Sequence, residues 1–162
     1  MKLNVILKFI LFIDIMFLVA CSEPQQDFCK YLSIAEAQDF DPSISRTEMR
    51  QTKHILYCVY GDGLSDKLFI SVDRPLKYSP EDFLKVLAKN SPEENEEIIS
   101  FSDVGNNAAA LFLGDDDQLD LEFLIAQNKK YSVTIRAHGV ENTSSEKINK
   151  LKSFAAKVLS RI

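Results

Sequence analysis

Histidine and glycine are scarce in this chain. Among 162 residues there are 2 histidines and 5 glycines. His54 and His138 fall in no His-x-x-His or His-Glu-x-x-His spacing, so a helical zinc motif is excluded, and both read as surface or strand-end residues. No Gly-x-Ser-x-Gly elbow or other triad pattern occurs, which leaves Ser-His-Asp hydrolysis without its signature. The glycines form no phosphate-binding loop, and no cofactor is expected. Basic charge is in deficit too. There are 19 Lys and Arg against 24 Asp and Glu, a net charge of −5. An acidic chain repels nucleic acid phosphates and anionic headgroups, so nucleic acid is not an expected partner. There is no internal repeat and no low-complexity tract.

Cysteine is sparse as well, and each of the 3 has to be placed. Met1–Lys8 carries two lysines and no acid, in the manner of a signal n-region. Phe9–Val19 follows as an apolar core, shorter than the roughly 20 residues that span a bilayer. Asp14 interrupts it and lowers its hydrophobicity, with Ile10–Ile13 and Ile15–Val19 as the apolar flanks. Leu18-Val19-Ala20-Cys21 closes the run and resembles the lipobox of bacterial lipoproteins. That resemblance implies removal of residues 1–20 and lipidation of Cys21, with two or three acyl chains as a stable membrane anchor. By resemblance to the enterobacterial sorting pattern, Ser22 after the cysteine implies the periplasmic face of the outer membrane.

Residues 21–26 then form the lipidated cysteine and a short polar tether, of which the five residues after Cys21 reach about 17 Å. A single domain is expected over 27–162. Lys2, Lys8 and Asp14 leave with the signal, so the basic and acidic counts fall to 17 and 23 and the net charge becomes −6. Cys29 and Cys58 remain as an even pair in a compartment that permits disulfides. Two readings are open here. One is a bridge closing a loop of about 30 residues, for which chain entropy gives about 3–4 kcal/mol at most. The other is two buried thiols.

The pattern along the mature chain alternates short helices with strands. Ser33-Ile34-Ala35-Glu36 is a capping box for a helix to about Phe40, and Asp41–Arg50 reads as a polar loop. Lys53–Tyr60 and Lys67–Asp73 are apolar, β-branched runs around the Gly61-Asp62-Gly63 turn signal. Ser79-Pro80-Glu81-Asp82 starts a helix to about Asn90, with Pro at its first position and acids against the positive end of the dipole. Glu97–Phe101, Ala108–Leu113, Leu119–Ala126 and Tyr131–Ala137 follow as strands of a meander. In the third of these Leu119, Leu121, Phe123 and Ile125 alternate with more polar residues, which predicts one shared apolar face. Thr143-Ser144-Ser145-Glu146 is a second capping box. It opens a long amphipathic helix whose stripe includes Ile148, Leu151, Ala155, Val158, Leu159 and Ile162. The sum is an α+β fold: an antiparallel sheet of about five or six strands with helices packed on one face or both.

Two acidic stretches stand out. Asp115, Asp116 and Asp117 begin like a calcium loop, but Leu119 holds the fifth position and Asp120 stands where glycine is needed, so a solvated turn is the simpler reading. Glu93, Glu94, Glu96 and Glu97 form the other, a solvated loop or a contact for a basic partner. Phe28, Tyr31, Tyr57, Tyr60, Phe69 and Phe83 could line a ligand pocket, though core packing is the commoner use of such residues.

Three short motifs carry a wider resemblance. They are Cys29-Lys30-Tyr31-Leu32-Ser33 leading into a helix, Cys58 within the strand Tyr57–Tyr60, and the turn Val104-Gly105-Asn106-Asn107-Ala108. With the closing amphipathic helix, they resemble a group of small bacterial lipoproteins of unknown function whose fold is similar to the PsbP-like α/β/α sandwich. The resemblance implies that sandwich and a Cys29–Cys58 bridge, and it brings no catalytic residues. The expected role is a non-enzymatic binding or accessory module facing the periplasm, with a small ligand or a basic protein as partner. The alternative is an inhibitor or immunity-type protein that binds a basic enzyme through its acidic loops.

Overall fold

The computed structural model describes residues 27–53, 55–91, 95–114 and 119–162. The signal, Cys21, the tether, His54, Glu93, Glu94 and Asp115–Asp117 lie outside them. A 3₁₀ turn (Phe28–Tyr31) and helix α1 (Ile34–Gln38) come first, followed by strands β1 (Arg46–Gln51), β2 (Leu56–Gly61) and β3 (Asp66–Asp73). Helix α2 (Pro80–Ala88) crosses to β4 (Asn95–Phe101), β5 (Asn107–Gly114), β6 (Asp120–Gln127) and β7 (Ser132–Ala137), and α3 (Ser145–Arg161) closes the chain. The seven strands form one sheet in the order β1-β2-β3-β7-β6-β5-β4, antiparallel throughout. After β3 the chain passes to the far edge and returns strand by strand until β7 meets β3.

Seven strands replace the expected five or six because Arg46–Gln51, read above as loop, is the edge strand β1. Its sequence carries no apolar alternation because an edge strand needs little. It pairs with β2 along its whole length and presents charged side chains, which discourages pairing with another chain.

Both faces of the sheet are covered over part of their area. On one face the 3₁₀ turn, α1 and α3 enclose the main core, with Tyr60, Leu68, Phe112, Leu124, Ile135, Leu151 and Phe154 all buried. On the other, α2 lays Leu84 and Ala88 over Ala109, Leu111 and Ile125. Ala108, Ala109 and Ala110 are buried on alternate sides of β5, and small residues there let a helix approach each face. The expected single apolar face of β6 is corrected by this double coverage. A bulge where Leu111 pairs with Phe123 but Phe112 with Leu121 splits the set. Leu119 and Leu121 join the main core, whereas Phe123 and Ile125 turn to the α2 side.

The helix starts follow local chemistry in two cases of three. In α1 the Ser33 hydroxyl accepts from the Glu36 N–H at 3.2 Å and the Glu36 carboxylate accepts from the Ser33 N–H at 3.0 Å. In α2 the Asp82 N–H donates to the Ser79 hydroxyl at 3.1 Å, and Pro80 occupies the first turn. The capping box expected at Thr143–Glu146 does not form: α3 starts from Ser144, with no side-chain cap. Its entry is set by backbone pairing instead. The N–H groups of Leu121 and Asn142 donate to Val140 and Leu119 carbonyls at 2.8 and 2.9 Å, holding the preceding segment against β6.

Candidate functional site

Helix α2 covers only the β4–β6 side of its face. On the rest of that face, among the described residues, the sheet is open, and a groove of about 400 Å³ lies there. The strand register builds it. Phe69 of β3 sits opposite Arg136 of β7, Ser71 opposite Thr134, and Tyr57 of β2 opposite Ser71. Phe123, turned to this side by the β6 bulge, forms the wall next to α2, and Thr52 and Ile55 of the β1–β2 hairpin form the opposite rim. Thr52 and Ile55 hold that rim together, with the Thr52 N–H donating to the Ile55 carbonyl at 2.9 Å and its hydroxyl accepting from the Ile55 N–H at 3.1 Å.

The lining is apolar with a few placed polar groups, the composition of ligand sites in general. Tyr57 and Phe69 tilt against each other with ring centres 6.3 Å apart, and Phe69 meets the His138 ring edge-on at 5.7 Å. The Arg136 guanidinium lies 5.0 Å from the centre of the Phe123 ring, and its Nη2 donates to Glu122 at 2.7 Å. An adjoining hollow of about 260 Å³ shares Phe69 and Arg136 and adds Asp120, Glu122 and His138. Asp73 lies farther along the same face of β3, where burial raises its carboxyl above the ordinary range.

The loop between β3 and α2, which leads into the helix, is pinned by buried polar groups with partners. Gln127 accepts from the Leu76 N–H at 3.0 Å and donates to the Tyr78 carbonyl at 3.3 Å, and the Ser132 hydroxyl donates to the Arg74 carbonyl at 2.9 Å.

The other expected site residues are not at the groove. Cys29 and Cys58 form a disulfide, with Cα atoms 5.4 Å apart, on the main-core side of the sheet. Of the two buried-thiol and bridge readings, the bridge is the one found. Phe28, Tyr31 and Tyr60 pack around it as core, and Phe83 packs under α2, so of the six aromatics only Tyr57 and Phe69 line the groove.

Glu96 and Glu97 are exposed at the start of edge strand β4, and they alternate to opposite faces. Glu97 accepts from the Asn142 side chain at 2.7 Å. The register pairs Asn95, in the first acidic stretch, with Gly114, the last described residue before Asp115–Asp117, which themselves lie outside the described residues. Arg136, Thr134, Phe123 and Ile55 escaped sequence reasoning. Arg136 and Thr134 read simply as the polar side of an alternating strand, and nothing in the sequence shows that no helix covers it.

Compared with known proteins, the chain matches no family model, no curated protein and no solved structure. Among the described residues no helix is long and apolar enough to cross a membrane.

Proposed function

We propose that this chain is an exported lipoprotein, anchored through Cys21 to the periplasmic face of the outer membrane, that works by binding rather than catalysis. The observation that carries the reading is the division of labour between the two faces of the sheet. The 3₁₀ turn that continues from the tether packs beside β1 and β2 on the main-core side, while the groove opens on the other side. An anchor attached at the first face leaves the second accessible. The Cys29–Cys58 bridge suits an oxidising compartment, and it ties the segment next to the tether to the centre of β2. Helices on both faces of an antiparallel sheet accord with membership of the small-lipoprotein group and its PsbP-like sandwich. Metabolic labelling with a palmitate analogue tests the anchor. Wild-type chain takes up label and fractionates with membranes, and Cys21→Ala does neither; label persisting in the variant overturns the reading.

A second reading has one observation in its favour. Asn95 and Gly114, the described residues beside the two acidic stretches, are register partners, and that pairing is what favours an inhibitor of a basic enzyme. Affinity capture with the mature chain separates the two. A single basic enzyme, bound less tightly as salt rises, favours the inhibitor, and capture of no protein weakens it.

A further inference from the structure

We infer that the open groove is a site for a small aromatic carboxylate, with Arg136 as the group that receives the acid. This names a ligand class for the binding reading above and rests on it. Three observations converge on that chemistry. The volume of about 400 Å³ falls in the range of small-molecule sites, whereas a folded partner docks on broad surfaces. The walls are rings: Tyr57, Phe69 and Phe123 offer a flat ligand edge and face contacts at ordinary aromatic spacing. Among the described residues, the only charged group lining the main groove is Arg136, which also lines the adjoining hollow.

Arg136 is set up to take an anion. Stacking on Phe123 holds the guanidinium plane at the groove wall. One nitrogen, Nη2, is engaged by Glu122, while Nη1 and Nε have no partner among the described residues. A guanidinium has five donors in a fixed fork, so a second carboxylate can be received beside the first. Glu122 has two effects: it orients the fork, and its charge opposes an incoming anion. Thr134 and Ser71, register partners, also line the groove; Ser71 is engaged by Asp73, which leaves Thr134 to serve a ligand's polar edge.

The opposed roles of Arg136 and Glu122 give the proposal a test with two signs. Binding of 2-naphthoate and of its uncharged analogue 2-naphthylmethanol is measured by equilibrium dialysis against the full mature chain in nanodiscs, with empty nanodiscs as the blank. Naphthoate is expected to bind saturably. Arg136→Gln is expected to weaken it about tenfold, the effect of losing a charge-assisted hydrogen bond. Glu122→Gln is expected to tighten it several-fold, and neither change should move naphthylmethanol by more than about twofold. Both residues are at the surface, so the variants are expected to fold, as their melting temperatures and intact disulfide will report. No saturable naphthoate binding, or equal weakening of both probes by Arg136→Gln, overturns the ligand class. Either result with Cys21 still labelled leaves the anchored binding module standing, so the two readings fail separately.

Discussion

Arg161, on the last turn of the chain, places Nη1 and Nη2 on the two carboxylate oxygens of Glu36, at 2.9 and 2.8 Å and across 125 residues of sequence. The same Nη1 donates to the Tyr31 carbonyl at 2.7 Å, and Lys157 approaches Glu36 at 3.5 Å. Glu36 also completes the capping box of α1. One carboxylate thus joins the end of α3 to the segment that follows the tether. The Arg161 bonds, then the Ser33 N–H, hold its pKa far below the usual carboxylate range.

That depression fixes the direction of a pH effect. The folded-state value lies below the ordinary value of 4.5, so the pair contributes its full stabilisation above about pH 4.5 and loses it as pH falls toward the folded value. Because Arg161 is half-exposed, solvent screens the pair, and a contribution of about 1 kcal/mol is appropriate. Glu36→Gln is expected to lower stability by about that amount at pH 7 and to converge with wild type in acid. Urea titrations at several pH values check this. A constant difference down to pH 3 would contradict it.

The bridge between Cys29 and Cys58 makes a second prediction. Its half on β2 is buried, and the loop it closes contains α1 and β1. Cys58→Ser is expected to cost about 2–4 kcal/mol. Thermal unfolding with and without reductant checks it: wild type under reductant should fall toward the variant, and the variant should not respond. Mass spectrometry of the exported chain should find the two cysteines joined. Free thiols there would refute the bridge.

Gly105 supplies a third. Its φ is +59°, and a Cβ at this position would stand 2.5 Å from the Gln127 carbonyl oxygen and 3.0 Å from Leu159. The neighbouring Asn106 N–H donates to the same carbonyl at 2.8 Å, so the turn into β5 is clamped on the end of β6. Gly105→Ala meets both a disfavoured dihedral and a backbone contact that cannot yield cheaply, and is expected to cost at least about 1–3 kcal/mol. A melting temperature equal to wild type would show that the turn can move.

Gly105 also shows what the sequence could convey. Val104-Gly105-x-x-Ala108 is visible as a motif, and its parts have local causes: Val104 and Ala108 are buried, and Gly105 takes a dihedral other residues avoid. The α2 start and the long stripe of α3 were legible for the same reason, since caps and periodicity act within a few residues. What escaped depends on distant parts of the chain. Strand β1 is polar because its neighbour on one side is solvent, and β6 changes faces at a bulge because α2, from mid-chain, and α3, from its end, cover its two sides. The groove exists because α2 lies over only part of its face, and Gln127 and Ser132 hold the loop that leads into α2 some 50 residues earlier. No window of sequence contains that relationship.

Tyr60 gives the last prediction, because its hydroxyl joins three features of the N-terminal segment. It donates to the Leu32 carbonyl at 2.7 Å and lies 3.3 Å from the Cys29 carbonyl, directly after the disulfide and before the α1 cap. The side chain is buried, and burial pushes its pKa up to about 12, so it stays a donor across the physiological range. Tyr60→Phe keeps the ring and leaves buried carbonyls without their partner, at an expected cost of about 1–2 kcal/mol. If the hydroxyl only stabilised the core, the loss would be spread over the whole fold. Because it bonds to this one segment, amide exchange should rise first over Tyr31–Ser33 and the start of α1, with β5–β7 unchanged. Reduction of the disulfide in the same variant should widen that region further. A uniform rise in exchange across the sheet would show that the segment next to the tether has no separate hold on the domain.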